Sequence, residues 1–358
     1  MNLIDLFPVL LAAIALYRCD LSGLRSGKLN EDSLTPEASN HLRGLFALIV
    51  VYHHLYQMLG CGLLFPIFTR VGFLCVGFFF FISGYGLMKR YTTDKAYHRS
   101  FLRKRLPAIL LPFTLANLVY WLFHLLRGTN YSVGDFAAGI AQGSPIASNS
   151  WYMVSLLLCY LFFWCSICLF RNRPGLVVLS NTVLCVIYTG LCIRLGFGSE
   201  WFKSIAAYPI GLAWALYEAA ALERIKKSYY LLLGAAIFLL GGSMVAQMLY
   251  GNLSAPSITQ AIISNFTILF FIAALVLVIL KVRLGNKILA YLGKRSLEIY
   301  LFHGMFLLWA KPLLTGPDRA FLYFLMVLSG SLVFAQLVHP IEQRLLKACR
   351  QIPDHTHR

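Results

Sequence analysis

The sequence predicts an all-α bundle of about ten or eleven membrane helices, and three observations carry that prediction. Only 13% of the 358 residues are charged, against 59% hydrophobic, where a soluble chain would carry about 25% charged residues. Apolar runs of roughly 20 residues, the length that crosses a bilayer, recur from one end to the other. The basic residues fall in short clusters between those runs, as they do in the connections of multi-pass proteins.

Taken in order, the runs read as helices near 3–17, 42–60, 71–89, 105–126, 151–170, 176–193, 203–222, 229–248, 261–280, 296–314 and 320–340. The first contains Asp5 and Pro8 and lacks a positive leader, so a short membrane helix is expected rather than a cleaved signal peptide. Residues 18–41 are the one stretch of water-soluble composition. The chain therefore divides into an N-terminal span with its linker (1–41), a transmembrane domain (42–340) and a basic tail (341–358).

All but Arg70, Arg127, Arg194, Lys203, Lys311 and Arg319 of the 31 Lys and Arg residues lie in one alternate set of connections. The positive-inside rule makes that set cytoplasmic. The C-terminus is then expected inside the cell, the N-terminus outside, and a bacterial plasma membrane is the expected location. The net charge of +17 does not point to nucleic acid, because no basic, aromatic-interleaved soluble face exists to hold it. The nine cysteines lie mostly inside apolar runs. Even Cys165 and Cys168, with redox or metal spacing, read as buried thiols acting as small hydrophobes. No metal is expected.

Acid–base candidates inside the spans are few: the carboxylates Asp5, Glu218 and Glu298, and the imidazoles of His53, His54, His124, His303 and His339. Ionisable groups at membrane depth are costly and face protein or a watery cavity. Arg43 opens the second run and His54 follows eleven residues later, roughly 16 Å along a helix. His53 and His54 are about 100° apart on that helix and cannot both face one cavity squarely; structural interhelical hydrogen bonding is the competing reading of either. Gly72–Gly86 combines small residues with four consecutive phenylalanines, the composition of a close-packing helix. Arg103-Lys104-Arg105 before Pro107 and Pro112 reads either as topology-setting charge touching anionic lipid or as an anion clamp. Glu298 and His303, five apart on the tenth run, do not face each other.

Arg43-Gly44-Leu45 with His54 resembles the first motif of the membrane-bound acyltransferase 3 family. Phe78–Tyr85 is similar to that family's FFxxSGY-type segment, and Arg103–Arg105 to its basic motif. Asn149–Tyr152 and Ser296–His303 resemble its later landmarks, so the likeness spans roughly residues 41–340. Ala108 stands where the family often has a second arginine, and Gly77 where an acidic residue often precedes the aromatic run. The span before Arg43 is additional to the usual ten-helix core.

The resemblance implies an enzyme that transfers an acetyl or other short acyl group from cytoplasmic acyl-CoA to a hydroxyl of a cell-surface or exported glycan. Acetyl-CoA would be the donor and co-substrate. His54 would be the general base, with His53 as second candidate, and Arg43, Arg103 and Arg105 would hold the donor's phosphates. Glu298 would be an acid partner or supporting group near the inner mouth. A transporter or flippase of a lipid-linked or anionic molecule is the alternative, although no paired Gly/Pro-broken helices mark a transport site.

Overall fold

The computed structural model describes residues 3–94, 96–147, 149–250, 256–311 and 319–351. A 3-10 turn at Leu3–Asp5 leads into α1 (Leu6–Leu16), followed by β1 (Cys19–Asp20), α2 (Ser22–Arg25) and α3 (Pro36–Leu59). A 3-10 helix at Phe65–Arg70 precedes α4 (Gly72–Thr93), α5 (Tyr97–Leu126), α6 (Val133–Ala141), α7 (Trp151–Leu169) and α8 (Pro174–Arg194). Then come α9 (Ala207–Tyr250), α10 (Ile258–Ile279), β2 (Arg283–Leu284), α11 (Lys287–Gly293), α12 (Ser296–Ala310) and α13 (Ala320–Gln351).

Each apolar run expected from the sequence is helical. Among the described residues α4, α5, α7, α8, α9, α10 and α13 have the length and apolarity to cross a bilayer, and the chain is a multi-pass helix bundle. The faces of these helices that meet no other helix, carrying for example Leu231, Phe238 and Leu249, are strongly apolar and exposed. Lipid solvates such surface where water would not.

Three features depart from the sequence reading. The seventh and eighth runs were expected to be separated by a cationic connection; instead Ser228 alone, with non-helical φ −139° and ψ 32°, divides α9. At 44 residues α9 would be about 66 Å long if straight, twice the hydrocarbon thickness, so the break is what makes it two spans. The expected loop 127–150 contains α6, started by a capping box in which Ser132 and Asp135 satisfy each other's backbone. Those bonds, the one from the Ser132 backbone foremost, hold the exposed Asp135 carboxyl below its usual range. The tail expected from 341 onward instead continues α13 to Gln351. The tenth helix ends at Ala310, and the expected extension to 314 falls outside the described residues.

α3 is the element the site depends on. Thr35 caps it, its side chain accepting from Ala38 N–H at 3.4 Å, with Pro36 at its first position and Glu37 in its first turn. Gly60, at φ +60°, ends it in the left-handed conformation. One face of α3 packs on α4, and others on α11 and α12. α4 also packs closely along α9. A Cβ on Gly84 would run into the Tyr208 carbonyl, and one on Gly211 into the Phe81 carbonyl, so both helices use glycine to bring their backbones together.

α1 bridges the two ends of the bundle. Asp5 accepts from the N–H groups of Leu63 and Leu64, each at 2.8 Å, near the end where α3 finishes. Asn286 donates to the Ile14 carbonyl at 2.6 Å near the end where Arg43 lies. There β1 and β2 pair antiparallel, Cys19 opposite Leu284 and Asp20 opposite Arg283. The Phe7 ring stacks on Phe324 of α13 at 3.5 Å between centroids.

Candidate functional site

Three spaces lie along the bundle, each sharing a wall residue with the next. At the end where α3 begins, α5 presents a basic cleft of about 360 Å³ lined by Arg90, Tyr97, Arg103, Lys104 and Arg105. Deeper in lies a chamber of about 300 Å³ whose wall includes Arg43, Ser83, Arg105, Tyr152, Tyr160 and Tyr300. Towards the other end is a cavity of about 590 Å³ whose wall includes His53, His54, Gln57, Asn149, Trp151 and Tyr300. Arg105 therefore belongs to the first two spaces and Tyr300 to the last two.

The arginine chamber brings two guanidinium groups, of Arg43 and Arg105, to one wall. Arg105 Nε donates to the Tyr97 hydroxyl at 2.7 Å, which fixes the guanidinium at the wall shared by cleft and chamber. Arg43 Nε is buried with no hydrogen-bond partner among the described residues. A guanidinium held away from water with an unused donor is costly unless something else accepts from it. Ala108 lines the same chamber, and a methyl there leaves open the room an arginine would fill. In the sequence order of α5, Pro107 and Pro112 interrupt the ladder just above the cations, because proline offers no N–H to the carbonyl four residues earlier.

In the histidine cavity the two adjacent histidines take different partners. His53 Nδ1 lies 2.7 Å from the Phe68 carbonyl, and its Nε2 is 3.1 Å from the Gln57 amide nitrogen. His54 Nδ1 lies 3.0 Å from Gln57 Oε1. The His54 ring also stacks on His303, with centroids 5.1 Å apart and planes at 30°. His303 is fully buried: its Nδ1 donates to the Tyr300 carbonyl at 2.7 Å, and its Nε2 accepts from Asn149 at 3.1 Å. The His53 ring is seated directly against Gly72, where a Cβ would overlap its ring atoms.

The sequence-derived candidates thus separate by location. Arg43 and Arg105 share one chamber, with Arg103 in the adjoining cleft, and His53 and His54 share the other cavity. Glu298 lines neither. It is buried at the α12–α13 contact, where it pairs with His339 and meets the Glu342 carboxyl. Gln57, Asn149 and Tyr300 complete the site. The sequence reading passes over Gln57, although the signal is there in its spacing, a polar side chain four and three residues after the histidines, which a helix returns to the same face. Nothing in the spacing of Asn149 and His303, 154 residues apart, announces their contact. Among the described residues no group of three or more His, Cys, Asp or Glu side chains could hold a metal ion.

A family model described as an acyltransferase domain matches residues 37–339. Neither a curated protein nor a solved structure matches the chain.

Proposed function

For a chain that belongs to the acyltransferase 3 family, we propose transfer of a short acyl group, acetyl in the first instance, from acyl-CoA to a hydroxyl of a cell-surface or exported glycan. One observation carries the reading: arginines and histidines line two neighbouring chambers, with Tyr300 as the wall residue they share. The basic cleft and Arg43 suit the phosphates of the donor, and the unpartnered Nε of Arg43 fits an anion there. The distribution of Lys and Arg supports a cytoplasmic cleft and an outward-facing histidine cavity.

The length of α3 supports the same division of labour. Eleven helical residues separate Arg43 from His54 by about 16 Å, comparable with an extended pantetheine arm. A donor whose phosphates stay in the cleft can thus present its thioester near His54 without crossing the membrane itself. His54 takes the proton of the acceptor hydroxyl, and the hydroxyl oxygen bonds to the acyl carbon. The C–S bond breaks, and the thiolate leaves by the arginine side, where it takes up a proton. A positioned imidazole is suited to this near neutral pH.

The test uses membranes or nanodiscs containing the purified protein, acetyl-labelled CoA on the cleft side and glycan on the other. Label is expected in the glycan as an alkali-labile ester. A protein that moves lipid-linked or anionic cargo while leaving all label on the donor would be a transporter, and the proposal would fall.

A further inference from the structure

We propose that Gln57 and His53 are positioning residues, forming a one-way hydrogen-bond chain that keeps the proton of His54 on Nδ1 and leaves Nε2 bare towards the cavity. The inference rests on His54 as the base of the proposed reaction. It also decides which of the two adjacent histidines can serve.

The direction of the chain follows from its far end. The Phe68 carbonyl can only accept, so His53 Nδ1, 2.7 Å away, carries the hydrogen. A neutral imidazole has a single N–H, so His53 Nε2 is an acceptor. Its partner at 3.1 Å must then be the Gln57 NH₂ group. That fixes which way the amide faces, and Oε1 is turned to His54 Nδ1 at 3.0 Å. An amide oxygen accepts, so His54 Nδ1 donates. The remaining nitrogen, Nε2, keeps its lone pair and bonds to no described residue.

Both of His53's nitrogens are engaged, one by backbone and one by Gln57, so it has no free lone pair to act as base. Its place is made by Gly72, whose missing side chain leaves room for the ring. Gln57 can reach both rings because it follows them by four and three residues on one helix. Without His53, the amide is free to rotate and offer NH₂ to His54. That would favour the tautomer with the hydrogen on Nε2, which cannot take a proton from an acceptor hydroxyl.

A double substitution separates this role from simple packing. His53→Phe keeps a ring against Gly72 but removes the acceptor that orients the amide; kcat should fall roughly ten- to a hundredfold with the donor KM unchanged. Adding Gln57→Glu should recover most of that loss, because a carboxylate can only accept and again holds the hydrogen on His54 Nδ1. A double variant no faster than His53→Phe alone would overturn the proposal. Nitrogen-15 NMR of the wild-type protein with labelled histidine, in nanodiscs and without substrates, reads the tautomer directly. Hydrogen on His54 Nδ1 is expected, and hydrogen on Nε2 would overturn the chain whether or not any variant folds. Because the spectrum needs no turnover, a protein with the expected tautomer and no acyl transfer would count against the acyltransferase reading and not against the chain.

Discussion

Asn149 donates to His303 across 154 residues of sequence, and through His303 it supports the face of His54. The contact joins the start of α7 to the middle of α12 and presses a fully buried neutral ring against the proposed base. Asn149→Ala would strand the buried Nε2 of His303 without its donor, a cost of about 1–3 kcal/mol. A lower melting temperature in detergent, with a smaller kcat and an unaltered donor KM, is the expected outcome. An unchanged melting temperature would mean that water replaces the amide.

His54→Ala should reduce kcat by roughly 10²–10⁴, the usual contribution of a positioned acid–base group. Circular dichroism and donor binding should stay as in the wild type, since the His54 side chain touches neither the arginine chamber nor a helix-packing carbonyl. Wild-type turnover in a folded His54→Ala protein would rule it out as the base.

For the proposed donor clamp the split between constants is the measurement. Arg43→Gln and Arg105→Gln should raise the donor KM well before kcat falls, because they remove binding shared by ground and transition states. Arg43→Gln should be the larger, as its guanidinium is the one with an unused buried donor. A donor KM unmoved by both would remove the arginines from the donor site.

Glu298 is expected to matter for stability rather than turnover. Its carboxyl is buried between His339 and Glu342, away from both chambers. Glu298→Leu leaves the buried Glu342 and the half-buried His339 without their partner and should cost about 3 kcal/mol. The prediction is a large drop in thermal stability with both substrate KM values unchanged; a selective loss of kcat in a stable protein would move Glu298 into the reaction.

Gly72→Ala tests the seat of His53 from the neighbouring helix. The added methyl would displace the ring from the Phe68 carbonyl. A fall in kcat of about tenfold, in the range for residues that orient a functional group, is expected without a change in helix content.

What the sequence reveals and what it hides follow from range. Helix positions are legible because lipid demands an unbroken apolar run for each crossing, and the runs are long enough to declare themselves. The break between the seventh and eighth runs is legible at 223–228, but not that it narrows to Ser228, because Arg224, Lys226 and Lys227 are good helix formers and carry the helix through the expected connection. The Arg43–His54 pair is legible because both lie on one helix, where spacing is geometry. The Tyr300 wall, the Asn149–His303 bond and the burial of Glu298 against His339 are not, since each depends on which helices become neighbours. The β1–β2 pair is only two residues long, too short for any alternation to show.

The stacking of Phe7 on Phe324 has a consequence for biogenesis. α1 leaves the ribosome first among the described helices, yet part of the surface that covers it belongs to α13, the last of them. Until α13 is inserted, α1 lacks the aromatic part of its final surroundings, so the described bundle closes like a ring whose clasp is its last-made helix. Truncation near the C-terminus should therefore be felt at the N-terminus, as protease access to residues around Arg18.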